Sequence, residues 1–435
     1  MKNLRKLFAL DNPARLFYHK IRAILANFMY WFPSKWMIII WVTWTNWKTT
    51  TSNIIAKWLR EAWKKVFMFT TVNIIIWDKE YVNDTKMTSP DAFLLQKLFK
   101  QAKDEGCEIA IIETASHGIK MSRIWWLDYD VAVLTNITQD HLDLHKTMKD
   151  YVNTKLKLFR NLISYERKSW IKKTAVINVW SEYSELFVWE TYDSMYLYGK
   201  WNGSSLLASN IRIEDWLTKF EIKLPWRITT IETKLKWDFN IENILAAIGV
   251  FMSFSISADD IIKIIKKLDW VPGRMELVEN DLWADIIVDY AHTPDALEKV
   301  LTTLQDIWYN KIVTVFWATW DRDKTKRPIM WEIVSKYSDI VILTQDDDYS
   351  ENSESIIKDV LPWINRIDWD DFFIVPTRKE AIELGISSID TWDVLLVAGK
   401  WDEHVMITNN WPIEWHDKTI IKNILKEIDD NKIIV

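Results

Sequence analysis

Lys48-Thr49-Thr50-Thr51 follows an apolar run, Met37-Ile38-Ile39-Ile40, across the connection Trp41-Val42-Thr43-Trp44-Thr45-Asn46-Trp47. A lysine and hydroxyls just after a buried strand can do phosphate chemistry. The lysine reaches the β/γ-phosphates, a threonine reaches Mg²⁺, and backbone N–H groups close round the phosphate oxygens. That closure needs glycines. With Gly at each Trp the segment becomes G-V-T-G-T-N-G-K-T-T-T, a phosphate loop. With Trp it places three indoles in the cradle, at positions where a bulky residue takes φ > 0 only with strain.

Other residues carry chemistry at strand ends. Glu113 ends the apolar run Ile109–Ile112 and is followed by Ser116-His117. A carboxylate at the carboxyl end of a parallel strand points into the ligand crevice, where it could join Thr49 on Mg²⁺. The plainer reading is a helix-capping acid. Asn136 and Asp140-His141-Leu142-Asp143-Leu144-His145 follow the run Val131–Leu134. With seven His in 435 residues, two in one short loop point to a metal-binding role for His141 rather than a merely polar loop. Lys155 by itself reads as a solvated helix lysine. Asp289-Tyr290-Ala291-His292-Thr293-Pro294-Asp295 follows Ile286–Val288, as a nucleotide contact or as a strand end with an N-cap. Asp321–Pro328 is dense in Lys and Arg after Ile312–Phe316, as a grip on anionic groups or as a solvated run.

The tryptophans are a property of the whole chain. It has 29 Trp and 8 Gly, where about 7% usage would give roughly 30 glycines. The surplus of one matches the deficit of the other. The pattern recurs in Phe316-Trp317-Ala318-Thr319-Trp320-Asp321-Arg322-Asp323 and in Gly399-Lys400-Trp401-Asp402-Glu403. The reading that fits is that most of these Trp are glycines in the living protein, from a UGA codon decoded as Gly in the source and translated here as Trp. The rivals are a decayed gene and a true Trp-rich binder of carbohydrate. The second is weak, because these Trp fall inside motif frames rather than on a periodic face.

The elements that must position these residues follow from the pattern. Short apolar runs at Met37–Ile40, Ile109–Ile112, Val131–Leu134 and Ala175–Ile177 read as buried strands. They alternate with helical stretches at Thr51–Leu59, Asp91–Lys103 and Met148–Leu162. This predicts an α/β fold with a mostly parallel sheet. A β-rich stretch, Trp170–Trp237, alternates at Leu217–Leu224 and Ile228–Leu235. A second strand set follows at Ile286–Val288, Ile312–Phe316, Ile340–Leu343, Phe372–Val375 and Val394–Val397. The expected domains are a short helical segment at 1–35, a central P-loop domain at 36–270, and a Rossmann-like α/β domain at 271–435. Val271-Pro272-Gly273-Arg274 is the expected linker. No internal repeat or low-complexity segment stands out.

Length 435 is ample for two or three domains. A net charge of −6 argues against a nucleic-acid surface. The single Cys107 excludes a disulfide framework and fits a reducing compartment. No secretory signal or membrane-length apolar run is evident. Residues 2–28 interleave Lys2, Arg5, Lys6, Arg15, Lys20 and Arg22 with apolar positions. That reads as a solvated amphipathic helix, with a membrane-surface or partner-docking helix as the alternative.

Taken together these segments resemble the Mur ligase family, the ATP-dependent amide-bond ligases of peptidoglycan assembly, and within it the tripeptide-forming branch. The resemblance runs from about residue 35 to 420. Its carriers are Trp41–Thr51, Glu113–Gly118, Thr135–His145, Tyr151–Lys155, Phe239-Asn240-Ile241-Glu242-Asn243, Gly273-Arg274-Met275-Glu276, Asp289–Asp295, Asp321–Pro328 and Gly399–Glu403. The resemblance implies that Thr45, Asn46, Trp47, Lys48, Thr49 and Thr50 hold ATP. Asn240, Asn243, Arg274 and Asp289 would then lie near adenosine. It implies Mg²⁺ on Thr49, Glu113 and His141, and a carbamylated Lys155. Ser116 and Arg123 would contact the UDP-MurNAc-dipeptide, and Arg322 and Glu403 the incoming amino acid. Lys48, Lys155, His141 and Glu113 form the implied catalytic set. The implied setting is cytoplasmic cell-wall synthesis, tied to cell shape and division. The implied reaction passes through an acyl-phosphate, with domain closure about a hinge near Gly273.

The chain also departs from the family pattern. About 35 residues precede the loop, so the N-terminal uridine-nucleotide domain is largely missing from this sequence. Ala115 replaces a serine of the Ser-Ser-His pattern. Asp346-Asp347-Asp348-Tyr349 stands where diaminopimelate-adding enzymes carry Asp-Asn-Pro-Arg. An acidic run favours a cationic acceptor such as lysine. The alternatives are a folylpolyglutamate-like ligase of the same fold or, if the Trp are real, a non-catalytic Mur-like binding protein. Of the adjacent Trp125 and Trp126, the pattern asks for one glycine, at Trp126.

Overall fold

The computed structural model describes residues 12–433 apart from 44–47, 84, 86, 138–141, 165, 169–170, 200–203, 215–216, 225–226, 236–237, 255, 267–274, 308, 318–325, 345–369, 401–404 and 408–411. Two compact units result, Met1–Asp269 and Trp270–Val435.

The first unit opens with helix α1 (Pro13–Met29), capped by Asn12, whose side chain accepts from Ala14 N–H. Strand β1 (Ile38–Thr43) leads to α2 (Lys48–Glu61), β2 (Val66–Phe69) and the hairpin β3 (Asn73–Ile76) and β4 (Lys79–Val82). Then come α3 (Ala92–Asp104), β5 (Ile109–Thr114), α4 (Ser116–Lys120), β6 (Val131–Leu134), α5 (Leu142–His145) and α6 (Met148–Ser164). The unit closes with β7 (Thr174–Asn178), α7 (Glu185–Val188), β8 (Ser194–Gly199), β9 (Leu206–Glu214), β10 (Leu217–Leu224), β11 (Arg227–Thr233), α8 (Asp238–Ser253) and α9 (Ala258–Lys266).

Its strands form one sheet in the order β11-β10-β9-β8-β7-β6-β1-β5-β2-β3-β4. The middle, from β9 to β2, is parallel. Both ends finish in antiparallel meanders. Strands β1, β5, β6 and β7 are near-continuous apolar runs because helices cover both faces of the parallel part. β10 alternates half-buried with buried positions, as a one-sided strand must. The core gathers Ile39, Phe67, Phe99, Ile112, Leu134 and Phe159 among others.

The second unit holds β12 (Glu276–Val278), β13 (Asp285–Asp289), α10 (Pro294–Gln305), β14 (Ile312–Phe316), α11 (Lys326–Tyr337), β15 (Ile340–Thr344) and β16 (Phe372–Val375). It continues with α12 (Arg378–Ser387), β17 (Val394–Ala398), the hairpin β18 (Val405–Ile407) and β19 (Pro412–Glu414), and α13 (Asp417–Ile433). The sheet order is β12-β13-β17-β14-β15-β16, with only β12 antiparallel. β17, the last strand of this sheet in sequence, therefore sits inside it.

The expected parallel α/β architecture is present in both units. Two expectations change. The helix expected at Thr51–Leu59 begins at Lys48, so the lysine and all three threonines lie on its first turn. The N-terminal helix buries its small residues, Ala23, Ala26 and Asn27, and packs Ala23 and Ala26 against Ala92 of α3. Its apolar side, with Phe17, Ile21, Leu25 and Phe28, faces outward. Small side chains allow the close approach, and Arg22 bridging Asp91 at 2.9 Å fixes it. Among the described residues no helix is long and apolar enough to cross a membrane.

Backbone conformation separates the tryptophans. Eleven described non-glycine residues have positive φ, and six of them are Trp: Trp31, Trp63, Trp77, Trp126, Trp283 and Trp392, at +57° to +66°. For a bulky side chain this region is an outlier. The sites are the ones turns reserve for glycine. After α3, Gly106 (φ +81°) ends the helix with Gly106 N–H on Lys103 O and Cys107 N–H on Ala102 O. After α2, Trp63 makes the same pair of bonds, with Trp63 N–H on Arg60 O and Lys64 N–H on Leu59 O. After α1, Trp31 N–H bonds Phe28 O and Phe32 N–H bonds Asn27 O. These are Schellman C-caps, whose left-handed residue is usually Gly. Trp77 takes the first central position of the two-residue β3–β4 turn. Trp63 is 90% exposed, Trp283 85% and Trp31 81%, so no burial offsets the strain.

Another group is packed. Trp58 lies against Phe251, Trp331 against Phe372, and Trp415 donates Nε1–H to Asp417 at 2.8 Å. We expect Trp63→Gly to stabilise the protein by about 1 kcal/mol, because it removes one left-handed bulky residue. Gly106→Trp should destabilise it by a similar amount. Denaturant midpoints check both; equal midpoints for Trp63→Gly and the parent would contradict the cap assignment.

Candidate functional site

In the first unit the site lies at the carboxyl ends of β1, β5 and β2. Strand β1 sits between β5 and β6, with Val42 level with Glu113 and Thr43 level with Thr114. Thr43 Oγ1 donates to Thr114 O at 3.2 Å, which ties the strand ends together. The first turn of α2 then faces β5. Thr49 Oγ1 donates to Glu113 Oε2 at 2.9 Å, and both side chains are buried. Thr50 is buried on the same turn, and Lys48 begins the helix.

Glu113 is held from β2 as well. Thr71 N–H donates to Oε2 at 2.9 Å and Thr71 Oγ1 to Oε1 at 3.2 Å. Thr71 Oγ1 also pairs with Thr88 Oγ1 at 2.8 Å. The carboxylate is aimed by three donors and is not a helix cap. Thr71 was not singled out from sequence. Its signal lay in the topology: β2 runs parallel beside β5, with Phe69 level with Ile112, so the next residues reach Glu113.

α2 also meets α8. Thr51 Oγ1 donates to Asn243 Oδ1 at 2.9 Å, and Asn243 Nδ2 donates to Asn240 Oδ1 at 3.3 Å. Both asparagines are buried beside the loop-bearing helix. Ser116 begins α4 and is buried. Beneath it Ser89 Oγ accepts from Ala115 N–H at 3.3 Å, and Arg123 Nη1 donates to Ser89 O at 2.9 Å. A Cβ on Gly118 would overlap the Ser89 side chain, so this approach requires glycine. Burial lowers the Arg123 pKa; Asp91 opposes that and Arg15 adds to it.

Lys155 is fully buried, with Nζ 4.6 Å from the Tyr151 ring centroid. A solvated helix lysine is therefore ruled out. His145 packs on the same Tyr151 ring at 5.3 Å and meets His117 edge-on at 6.4 Å. Its Nδ1 lies 3.5 Å from Asp150, which Lys120 also holds at 2.9 Å. Burial first, then Lys120, lowers the His145 pKa to about 4 against the pull of Asp150.

In the second unit Asp289 ends β13 and is fully buried. Its Oδ2 accepts Met275 N–H and its Oδ1 accepts Ala291 N–H, both at 2.7 Å, while its carbonyl accepts Gly399 N–H at 2.8 Å. Both carboxylate oxygens serve the fold. Gly399, at φ +102°, follows β17, and a Cβ there would overlap the Trp317 indole at the end of β14. Trp41, in β1, crowds Thr114 through its Nε1 and stacks on Tyr129. Thr45, Asn46, Trp47, His141, Arg274, Arg322 and Glu403 lie outside the described residues, as do Trp44, Trp320 and Trp401.

Oxygen donors suit Mg²⁺, and Thr49 and Glu113 converge at hydrogen-bond distance beside the phosphate loop. Among the described residues no three His, Cys, Asp or Glu cluster as a metal cage. Two oxygen ligands fit an ion that keeps waters and substrate phosphates in its shell.

Comparison with known proteins bears on the family and the fold. Residues 42–251 match the Mur ligase middle domain and residues 273–401 the Mur ligase glutamate ligase domain. A UDP-N-acetylmuramoyl-L-alanyl-D-glutamate–2,6-diaminopimelate ligase of Geobacillus kaustophilus is 36% identical over 406 residues, 93% of this chain and 82% of that protein. The corresponding Clostridium botulinum protein is 34% identical over 411 residues, 94% of this chain and 82% of that protein. A solved structure of such a diaminopimelate ligase superposes with TM-score 0.64 at 26% identity, over 94% of this chain and 83% of that one. Mycobacterium tuberculosis folylpolyglutamate synthase shares the fold, with TM-score 0.71 at 15% identity over 87% of this chain and 92% of that one.

His145 sets an acid limit on stability. Its folded pKa is depressed, so its contribution is complete above the ordinary value of 6.5 and is lost as pH falls toward 4, where the unfolded chain alone binds the proton. His145→Asn should flatten that limb of the stability–pH curve. An unchanged slope between pH 6.5 and 4 would contradict the assignment.

Proposed function

The chain belongs to the Mur ligase family, and from that premise we propose how its residues run the reaction of an ATP-dependent ligase that joins an amino acid to a UDP-MurNAc-dipeptide in peptidoglycan synthesis. The observation that carries the proposal is the buried Thr49–Glu113–Thr71 cluster at the carboxyl end of the parallel sheet, on the first turn after the phosphate loop.

In this reading Thr45, Asn46, the residue at 47, Lys48, Thr49 and Thr50 grip the phosphates of ATP. Asn240, Asn243 and Arg274 border the adenosine. Asp289 acts near it by holding the turn at Ala291 rather than by touching the base. Thr49, Glu113 and His141 hold Mg²⁺, which when bound offsets the negative charge of the transferring phosphoryl group. Ser116 and Arg123 face the dipeptide substrate. Arg322 and Glu403 face the incoming amino acid.

The dipeptide carboxylate attacks the γ-phosphorus, ADP leaves, and an acyl-phosphate forms. Lys48 balances the charge that develops on the phosphoryl oxygens. The amino group of the incoming residue attacks the acyl carbon, phosphate departs, and an amide remains. Lys155 is fully buried on α6, with Nζ over the Tyr151 ring. If its ammonium gives up one proton, the amine would add CO₂ and release a second proton, so that a cation becomes a carbamate anion. A cytoplasmic setting would supply both nucleotides.

The acceptor is the open choice. The Geobacillus and Clostridium relatives are diaminopimelate ligases by name, yet this chain carries Asp346-Asp347-Asp348-Tyr349 in place of the arginine-bearing signature. Three carboxylates favour a cationic side chain, and lysine is the proposed acceptor.

The experiment is phosphate release that depends on UDP-MurNAc-dipeptide and amino acid, from the chain carrying Gly at 41, 44, 47, 317, 320 and 401. Turnover with lysine should exceed that with diaminopimelate; the reverse order would sink the acceptor assignment. Lys48→Ala and Glu113→Ala should each lose about a hundredfold or more in kcat. Lys155→Glu should retain more turnover than Lys155→Ala, since only the former keeps an anion. Full activity in Glu113→Ala would overturn the site.

A further inference from the structure

Helix α1 turns its large apolar side chains to solvent. It sits on α3 through small residues, with Ala23 and Ala26 against Ala92. Asn27 Nδ2 donates to Ala23 O at 2.8 Å and to Trp125 O at 3.1 Å, and Arg22 bridges Asp91 at 2.9 Å, so the rotation of the helix is fixed. Phe17, Tyr18, Ile21, Leu25, Phe28 and Met29 then stand away from the body, each between 39% and 65% exposed. Single exposed apolar residues need no explanation, but these recur at spacings of three and four and form one stripe. The reaction proposed above makes no use of them.

The stripe does not depend on the neighbouring indoles. Trp31 and Trp126 have positive φ and are read as glycine. The Trp126 ring meets Phe28 edge-on at 6.1 Å, so glycine at 126 uncovers Phe28 further.

Charge selects what can cover the stripe. α1 carries no Asp or Glu, and its ionisable residues are Arg15, His19, Lys20 and Arg22. Helical spacing puts Arg15 and Arg22 along one border of the stripe and Lys20 along the other. Lys20 Nζ lies 4.3 Å from the Trp125 ring centroid, and the Arg22 guanidinium 5.5 Å from that of Tyr18. The surroundings are positive: burial first, then Arg123 and Arg15, lowers the His19 pKa against the pull of Asp91. A second copy of the helix would bring like charges together. A complementary partner brings hydrocarbon to the middle and negative charge to both borders. The stripe is a ridge, so a folded partner would need a groove shaped to it. A bilayer needs none, because acyl chains close round each protruding side chain while anionic headgroups meet the bases.

We propose that this face of α1 docks the protein on an anionic lipid bilayer, with the helix flat in the interface. The inference does not rest on the ligase reading, and the stripe holds none of the residues assigned to ATP, metal or substrate.

The test is co-sedimentation of the full chain with vesicles of phosphatidylglycerol and phosphatidylcholine in equal parts, and with vesicles of phosphatidylcholine alone. The chain carries glycine at 31, 41, 44, 47, 126, 317, 320 and 401, because exposed indoles would themselves seek a bilayer interface. Binding to the anionic vesicles should be about tenfold tighter or more, and should fall as salt rises. Leu25→Gln combined with Phe28→Gln keeps good helix formers and should weaken binding about tenfold or more. Arg15→Gln combined with Lys20→Gln should cut the preference for anionic vesicles by a similar factor, about tenfold. Both double variants should keep the parent's Tm and its turnover in solution; Phe17→Gln decides the matter if either folds poorly. Absence of binding to the anionic vesicles, or equal binding by the parent and the Leu25/Phe28 variant, would overturn the proposal. A dimer seen by light scattering and abolished by that variant, without vesicle binding, would assign the face to a second copy instead.

Discussion

Backbone that must fold tightly round a phosphate, or turn left-handed at the end of a helix, has no room for a side chain. The rest of the molecule depends on that steric limit. The chain between β1, buried from Ile39 to Thr43, and the helix whose first turn carries Lys48 and Thr49 is the stretch that would hold the phosphates. If N–H groups cannot converge there, Glu113 and its threonines have no phosphate to serve. The same limit operates far from the site. Trp31 and Trp63 occupy Schellman caps equivalent to that of Gly106, and Trp77 a glycine position of a hairpin turn. At Gly399 the limit appears from the other side, since the Trp317 indole fills the space against a backbone that itself needs φ +102°. Local strain at the turns and crowding at Trp317 have one common remedy, glycine at the tryptophan.

The site is a product of sheet topology more than of any one motif. β1, β5 and β2 run parallel, so their carboxyl ends bring Thr43, Glu113 and Thr71 to one edge. Buried carboxylates cost free energy unless donors satisfy them, and Glu113 has three. The second unit uses the same rule at Asp289, whose two oxygens and carbonyl fasten three segments of chain. In both units a carboxylate at a strand end organises the loops around it.

Much of this was legible in the sequence. Val131–Leu134, Ile312–Phe316 and Phe372–Val375 form strands at the bounds their apolar runs indicate, because strands covered on both faces leave an unbroken apolar signal. Glu113 could be placed at a strand end for the same reason. What escaped depends on contacts distant in sequence. Thr71 reaches Glu113 across 42 positions, and Arg378 reaches Asp417 across 39, without any local pattern to mark either. Lys155 looked solvated because helical periodicity does not tell which face a neighbouring strand will cover; the structure buries it fully. The seat of the N-terminal helix also escaped, because the small residues that form its contact with α3 carry no strong apolar signal.

One measurement bears most directly on the account: tandem mass spectrometry of the peptide spanning residues 36–48, from protein made in its own source, with the codons read alongside. The account requires UGA codons and glycine masses at 41, 44 and 47. Tryptophan masses there, from UGG codons, would put true indoles in the phosphate cradle and would contradict both the glycine reading of the loop and the active ligase.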